Sequence, residues 1–339
     1  MSTYKEINGQ KVQSLASDPP APYEGQVWYN STSSTLKGYT NSASVWSSTD
    51  AMTTGRYGGA SAGTSQTAGL VWSGKNLSLS PVYLTQTESY NGTWTNQPAM
   101  PLSRWRAAGT GTSTLAVSAG GQQGPPTNAN SGQVFNYNGS WTANGTQPFS
   151  QVGQRGVGPQ TASFFIGGQE PPYTAGQTGY FYDGSSWTTA PGTTVNPHYN
   201  AGTTGSQTSA IIFGGQIQPS PGSSSQTELY NGTAWTVVNS LGGVRYSQTF
   251  AGNAAATSAV SAGGTQRPTS PNYTNSVETW NGTVWTAAAS MATVRSYGSG
   301  FGASGASMVA AGGYTSWNVA IDTVEKFSGG VGTTTFTTG

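Results

Sequence analysis

Residues 210–235 read AIIFGGQIQPSPGSSSQTELYNGTAW. The apolar run from Ala210 to Phe213 is short, stops on Gly214-Gly215, and shows no helical spacing, so it reads as a strand buried on both faces. A polar loop follows, then Thr227 to Tyr230, then Asn231-Gly232, then a strand opening on Trp235. Asn-Gly between strand-forming residues is the strongest short-range hairpin signal, and its usual form is a type I′ turn with φ > 0 at both central positions.

The same pattern recurs along the chain. Apolar runs close on Gly74, Gly121, Gly168, Gly215, Gly264 and Gly313, spaced by 47 to 49 residues. Each of the first five is followed, 19 to 21 residues later, by an aromatic-turn-Trp hairpin at Trp94, Trp141, Trp187, Trp235 and Trp285. A third marker opens each unit: Arg56, Arg104, Arg155, His198, Arg245 and Arg295 precede the Gly pair by 13 to 19 residues. A fixed period of this length signals an array of supersecondary units. Six units are expected, over about 51–100, 101–150, 151–193, 194–241, 242–291 and 292–339. The first has Ser73 in place of a glycine, and the last lacks a Trp, with Phe336 as the expected substitute. Leu36 to Trp46 resembles a further hairpin without its own Gly-pair strand, and three placements stay open: closing the last unit, capping the ring, or forming a separate element.

Composition agrees with an all-β chain. Charged residues are 7% of the 339, against roughly 25% in a typical soluble domain. The 49 Gly and 18 Pro stay below the fraction that marks disorder, while 11 Trp and 17 Tyr offer ample burial. A net charge of +1 gives no field to attract nucleic acid or an anionic membrane. With 0 Cys and 1 His, there is no disulfide, no thiolate and no His/Cys metal centre, and no cofactor is expected. The segment MSTYKEINGQKVQS lacks the apolar stretch of a signal peptide, so synthesis in a host cytoplasm without membrane insertion is expected.

Four short strands per unit of this length match a propeller blade. The Gly pair after an apolar strand, followed by an aromatic and a Trp at fixed offsets, resembles the kelch repeat over roughly residues 50 to 339. The resemblance implies a six-bladed β-propeller of four-stranded antiparallel blades, or seven blades if the N-terminal hairpin forms one. The stretch EGQVWYNSTSSTLKGY, Glu24 to Tyr39, is similar to short β segments near the N-termini of tail-fibre and other virion proteins of tailed, particularly marine, bacteriophages. That likeness implies a virion surface protein anchored to other virion proteins through residues 1–50.

Most repeated residues read as scaffold. Glu88, Glu228, Glu278 and Glu325 recur opposite Arg56, His198, Arg245 and Arg295, as ion pairs that fix register. Phe135 and Tyr180 take the Glu position in units two and three, leaving Arg104 and Arg155 freest for another task. The repeated Trp residues are expected to pack blade on blade. The Gly pairs are not phosphate loops, since neither a helix nor a Lys follows. Asn-Gly-Thr/Ser at Asn91, Asn138, Asn231 and Asn281 fits a glycosylation pattern, but the turn already requires Asn-Gly. Kelch-like copper oxidases need two His and a Cys-crosslinked Tyr, which this chain lacks. YDGSSW is similar to part of the sialidase Asp-box, a structural motif, and the sialidase catalytic set has no counterpart. No catalytic residue is assigned.

Function is expected in the variable loops after the Gly pairs. Proline stiffens them, and Gln, Asn and aromatic residues suit neutral glycan or protein surfaces. The expected face comprises Gln122, Gln169, Tyr173, Gln216, Arg267, Tyr273, Tyr314 and Trp317. The expectation is a non-enzymatic adhesin or structural component, with homo-oligomerisation left open. The alternative, a glycan hydrolase, needs two carboxyl groups about 5–10 Å apart in a cleft.

Overall fold

The computed structural model describes residues 12–19, 26–41, 44–170, 174–217, 222–268, 272–316, 319–329 and 331–336. Every regular element among them is a β-strand. The chain divides into a small unit, Met1–Val45 with Gly329–Gly339, and a large one, Trp46–Ser328.

The small unit is one sheet of Gln13–Leu15, Val27–Asn30, Thr35–Asn41 and Val331–Phe336, in that order. Asp18 organises its hairpin, accepting from Lys37 Nζ at 2.7 Å, Asn30 Nδ2 at 2.8 Å and Trp28 Nε1 at 3.0 Å. These donors, Lys37 foremost, hold its carboxyl down at about 2.

In the large unit each sequence repeat has its own sheet. The fourth is typical: Gly202–Gly205, Ala210–Phe213, Thr227–Tyr230 and Trp235–Val238, each antiparallel to the next. Ala210–Phe213 is buried throughout, because a neighbouring sheet covers each face, and its unbroken apolar run follows from that. The last strand keeps Trp235 buried and exposes the next two residues. In the fifth sheet the first strand shrinks to a single bridge, Thr249 with Ala262.

The hairpin turns depart from type I′. Tyr90 pairs with Trp94 across three residues and Tyr230 with Trp235 across four. Only the glycine, Gly92 or Gly232, has positive φ. The Asn side chain supplies what a second left-handed residue would: Asn231 Oδ1 accepts from the Thr233 and Ala234 amides at 3.0 and 2.9 Å.

Two circles of backbone hydrogen bonds tie the sheets together. In the outer one, the second glycine of each pair donates to the marker carbonyl of the next repeat: Gly74 to Arg104, Gly121 to Gln151, Gly168 to His198, Gly215 to Arg245, Gly264 to Arg295 and Gly313 back to Arg56, all at 2.8 Å. The geometry favours glycine at the first position of the pair, since a Cβ on Gly214 would lie 2.6 Å from the Arg245 carbonyl oxygen and φ there is 63°. Ser73 accepts the left-handed conformation in the first repeat, with φ 58°. In the inner circle, Gly58, Arg106, Gly153, Asn200, Ser247 and Tyr297 all have φ between 53° and 70°. Each amide donates to the equivalent carbonyl one repeat earlier, from Arg106 to Gly58 at 2.8 Å round to Gly58 to Tyr297 at 2.9 Å. Four of the six are not glycine and hold that conformation at a cost of about 1 kcal/mol each.

The outer circle corrects the third marker. Its third member is Gln151, so Arg155 stands four residues further on, in the innermost strand, where the other repeats carry Ala60, Ala108, Gly202, Thr249 and Ser299. Arg155 is therefore no part of the recurring Arg/Glu scaffold.

The last repeat is completed from the other end of the chain. Its fourth strand is Val45–Thr49, beside Val324–Ser328. Trp46 fills the tryptophan position, its ring 5.0 Å from Phe327 and its indole N–H donating to the Ala289 carbonyl at 2.8 Å. Phe336 instead belongs to the small sheet, in the strand Val331–Phe336 paired with Thr35–Asn41. The hairpin read at Leu36 to Trp46 is thus divided between the two units, and the boundaries expected at 50 and 339 lie at 45 and 328.

Candidate functional site

The paired cations hold single sheets together. Arg245 and Arg295 reach Glu278 and Glu325 at 2.6 Å, Arg56 pairs closely with Glu88, and His198 Nε2 lies 3.1 Å from Glu228. Each carboxylate also accepts backbone amides of the segment entering its sheet: Glu325 takes Ala292 at 2.8 Å and Glu228 takes Val195 at 2.7 Å. Burial pushes Arg56, Arg245 and Arg295 below the usual guanidinium range, and their carboxylates oppose it. Burial raises the Glu228 carboxyl, but the His198 hydrogen bond and its other donors outweigh it and leave the group below its ordinary value. Arg104, opposite Phe135, uses carbonyls instead: Nη1 donates to Gly120 at 2.8 Å and Gln133 at 2.7 Å, and the guanidinium sits 4.7 Å from the Phe135 ring. Burial without a carboxylate lowers it to about 10.

The tryptophans bridge neighbouring sheets. Trp141 lies 5.0 Å from Trp72, Trp235 6.0 Å from Phe164, Trp285 4.8 Å from Phe213, and Trp94 6.2 Å from Phe301. Trp187 lies 5.0 Å from Phe165 of its own sheet and packs against a cluster that includes Val117 and Val134 of the preceding repeat.

A different chemistry occupies the centre. In every repeat the residue after the marker bridges the residue after the Gly pair: Tyr57 with Lys75, Trp105 with Gln122, Val152 with Gln169, Tyr199 with Gln216, Tyr246 with Thr265, and Ser296 with Tyr314. These six small ladders surround the inner circle. They frame a depression of about 350 Å³ whose lining includes Lys75, Trp105, Arg106, Arg267, Tyr297 and Tyr314. Its lining residues include three cations and no carboxylate.

The rings pack on one another and on the cations. Tyr314 stacks on Tyr297 at 5.5 Å and meets Tyr57 and Tyr273 edge-on at 5.2 and 5.3 Å. Lys75 Nζ lies 3.8 Å from the Trp105 ring and 4.2 Å from that of Tyr83. Arg106 Cζ also lies 3.8 Å from Trp105, and its Nη atoms donate to the Tyr199 and Tyr297 hydroxyls. Burial, then the charge of Arg106, brings Lys75 down to about 8. Burial pushes the Tyr57, Tyr199, Tyr246 and Tyr314 hydroxyls up, so all four stay neutral at physiological pH.

Of the residues expected on the binding face, Gln216, Arg267 and Tyr314 line the depression, and Tyr273 packs against Tyr314. Gln122 is partly exposed beside it, donating to the Asn128 carbonyl at 3.2 Å, while Gln169 is buried. Tyr173 and Trp317 lie outside the described residues. The sequence reading missed Tyr57, Lys75, Trp105, Arg106, Tyr246 and Tyr297. Lys75 occupies the position of Gln122, Gln169 and Gln216, directly after a Gly pair, so the period itself contained the signal.

No family model matches the chain, and no curated protein matches it. Among solved structures it is similar to one titled "Structure of YjhT", at 13% identity and a TM-score of 0.68, covering 81% of this chain and 95% of that one. This likeness and the antiparallel four-stranded sheets establish an all-β fold of the β-propeller type.

Proposed function

We propose that the protein is a non-enzymatic recognition module, six blades in a ring, that captures acidic saccharide units in its central depression. The carrying observation is the convergence of Lys75, Arg106 and Arg267 with tryptophan and tyrosine rings, without a carboxylate among the lining residues. Aromatic faces stack on the C–H faces of sugars, and cations answer a carboxylate or sulfate through charge-assisted hydrogen bonds. The three cations move the preferred ligand from a neutral glycan to an acidic one. Glu88, Glu228, Glu278 and Glu325 are each buried and bonded in a separate sheet, which supports binding over a two-carboxylate hydrolase.

The setting we propose is the surface of a tailed-phage particle, with residues 1–50 attaching to other virion proteins and a host-surface polysaccharide as the ligand. Its support is the resemblance of Glu24 to Tyr39 to virion β segments, which fall largely on the hairpin Val27–Asn30 and Thr35–Asn41. Titration calorimetry with oligogalacturonate and with a neutral dextran fragment of equal length tests the ligand class. Binding is expected for the acidic chain only, weakened about tenfold by Arg267→Gln. Equal affinity for both chains overturns the reading.

A further inference from the structure

Arg106 and Tyr297 form a floor between two spaces, since they line both the depression and a narrow central channel beyond the inner circle. The channel has a volume of about 40 Å³ and is walled mainly by Gly, Ala and Ser of the innermost strands. Opposite the floor it is crossed by Asn253, which accepts from the Gly158 amide at 3.2 Å and Thr110 Oγ1 at 3.3 Å and donates to the Gly111 carbonyl. Into this space comes Arg155, the side chain that breaks the small-residue pattern of the innermost strands.

Arg155 donates from Nε to the Ala201 carbonyl at 2.7 Å, and its guanidinium lies 5.4 Å from the Phe250 ring. No hydrogen bond from its Nη groups to another described residue accompanies the Nε bond, and the buried Nε of Arg106 has no partner among the described residues. No Asp or Glu lines the channel. Two half-buried arginines therefore share a confined space lined by no carboxylate, where a counter-charge is favoured. Burial lowers Arg155 to about 10, which still leaves it cationic at neutral pH.

We propose that the central channel binds a small inorganic anion, of the size of a halide, between Arg155 and Arg106. The volume suits such an ion, since a single water requires roughly 10–15 Å³ by the same measure. A sugar acid does not fit there, so this site is distinct from the depression.

Thermal unfolding of the full chain in sodium chloride and in sodium gluconate at equal ionic strength tests the site, because gluconate exceeds the channel. The midpoint is expected to be higher in chloride by roughly 2 °C at about 100 mM salt. Arg155→Gln should abolish the difference, whereas Lys75→Gln, in the depression, should preserve it. Crystals grown in bromide should show an anomalous peak between Arg155 and Arg106. Identical midpoints in the two salts, a halide effect that survives Arg155→Gln, or an anomalous map without that peak each overturns the proposal. Should Arg155→Gln not fold, the bromide map on the unaltered protein decides alone.

Discussion

Arg295 and Arg155 are both arginines of a propeller repeat, yet they are held in opposite ways. Arg295 is fully buried, paired with Glu325 at 2.6 Å, and its Nη1 donates to the Gly312 and Thr323 carbonyls at 2.9 and 3.1 Å. Arg155, nearer the axis, has one carbonyl and no carboxylate. The first arrangement spends its Nη donors on its own sheet and recurs; the second leaves Nη donors facing a cavity and occurs once. In a repeat protein, the scaffold is what each unit satisfies internally, and function falls to residues that depart from the repeat and remain unsatisfied.

Breaking a recurring pair should have the largest effect. Glu325→Ala strands Arg295 in the interior and removes the acceptor of the Ala292 and Thr293 amides, with an expected loss of about 3–5 kcal/mol in urea unfolding. A loss under 1 kcal/mol would show that the pair does not hold the blade.

Arg104 sharpens the contrast because it sits at the marker position without a carboxylate. Arg104→Met leaves two carbonyls short of a donor but no buried anion, and the Met stem can still lie against Phe135. The expected cost is about 1–2 kcal/mol, clearly below that of Arg295→Met, which leaves Glu325 buried without its cation. Equal costs would mean that the carbonyl hydrogen bonds, and not the carboxylate, dominate at this position.

The period was legible because each marker has a local physical cause. The Gly pairs answer two consecutive left-handed residues that a Cβ would obstruct, and the apolar runs answer burial on both faces. What escaped were relations between distant parts of the chain. Nothing local says that Trp46 packs on Phe327, so Phe336 looked like the nearest candidate. Arg155 resembles a marker because Gln151, not an arginine, stands at the marker position, and the Gly121 hydrogen bond exposes the offset. The depression was half visible. Gln216, Arg267 and Tyr314 belong to the variable loops, whereas Trp105, Arg106 and Tyr297 belong to the segments just after the markers, which the inner circle turns to the axis.

The smallest expected effect concerns Lys75, which stands between the two extremes: a repeat position, an unpaired cation, and partial exposure. Its ammonium rests on Trp105 and Tyr83, and burial with the nearby Arg106 charge brings it to about 8 from 10.5. A depressed lysine is protonated in the folded and unfolded chains alike below pH 8. Between 8 and 10.5 the unfolded chain binds the extra proton, so stability contributed by this residue rises with pH across that window. Ligand binding should run the other way, because the depression loses the Lys75 charge as pH climbs through 8. Affinity for oligogalacturonate is expected to fall a few-fold between pH 7 and pH 9.5, and Lys75→Gln should bind weakly and flatly over the same range. A decline that persists unchanged in Lys75→Gln would assign the titration to another group and remove Lys75 from the site.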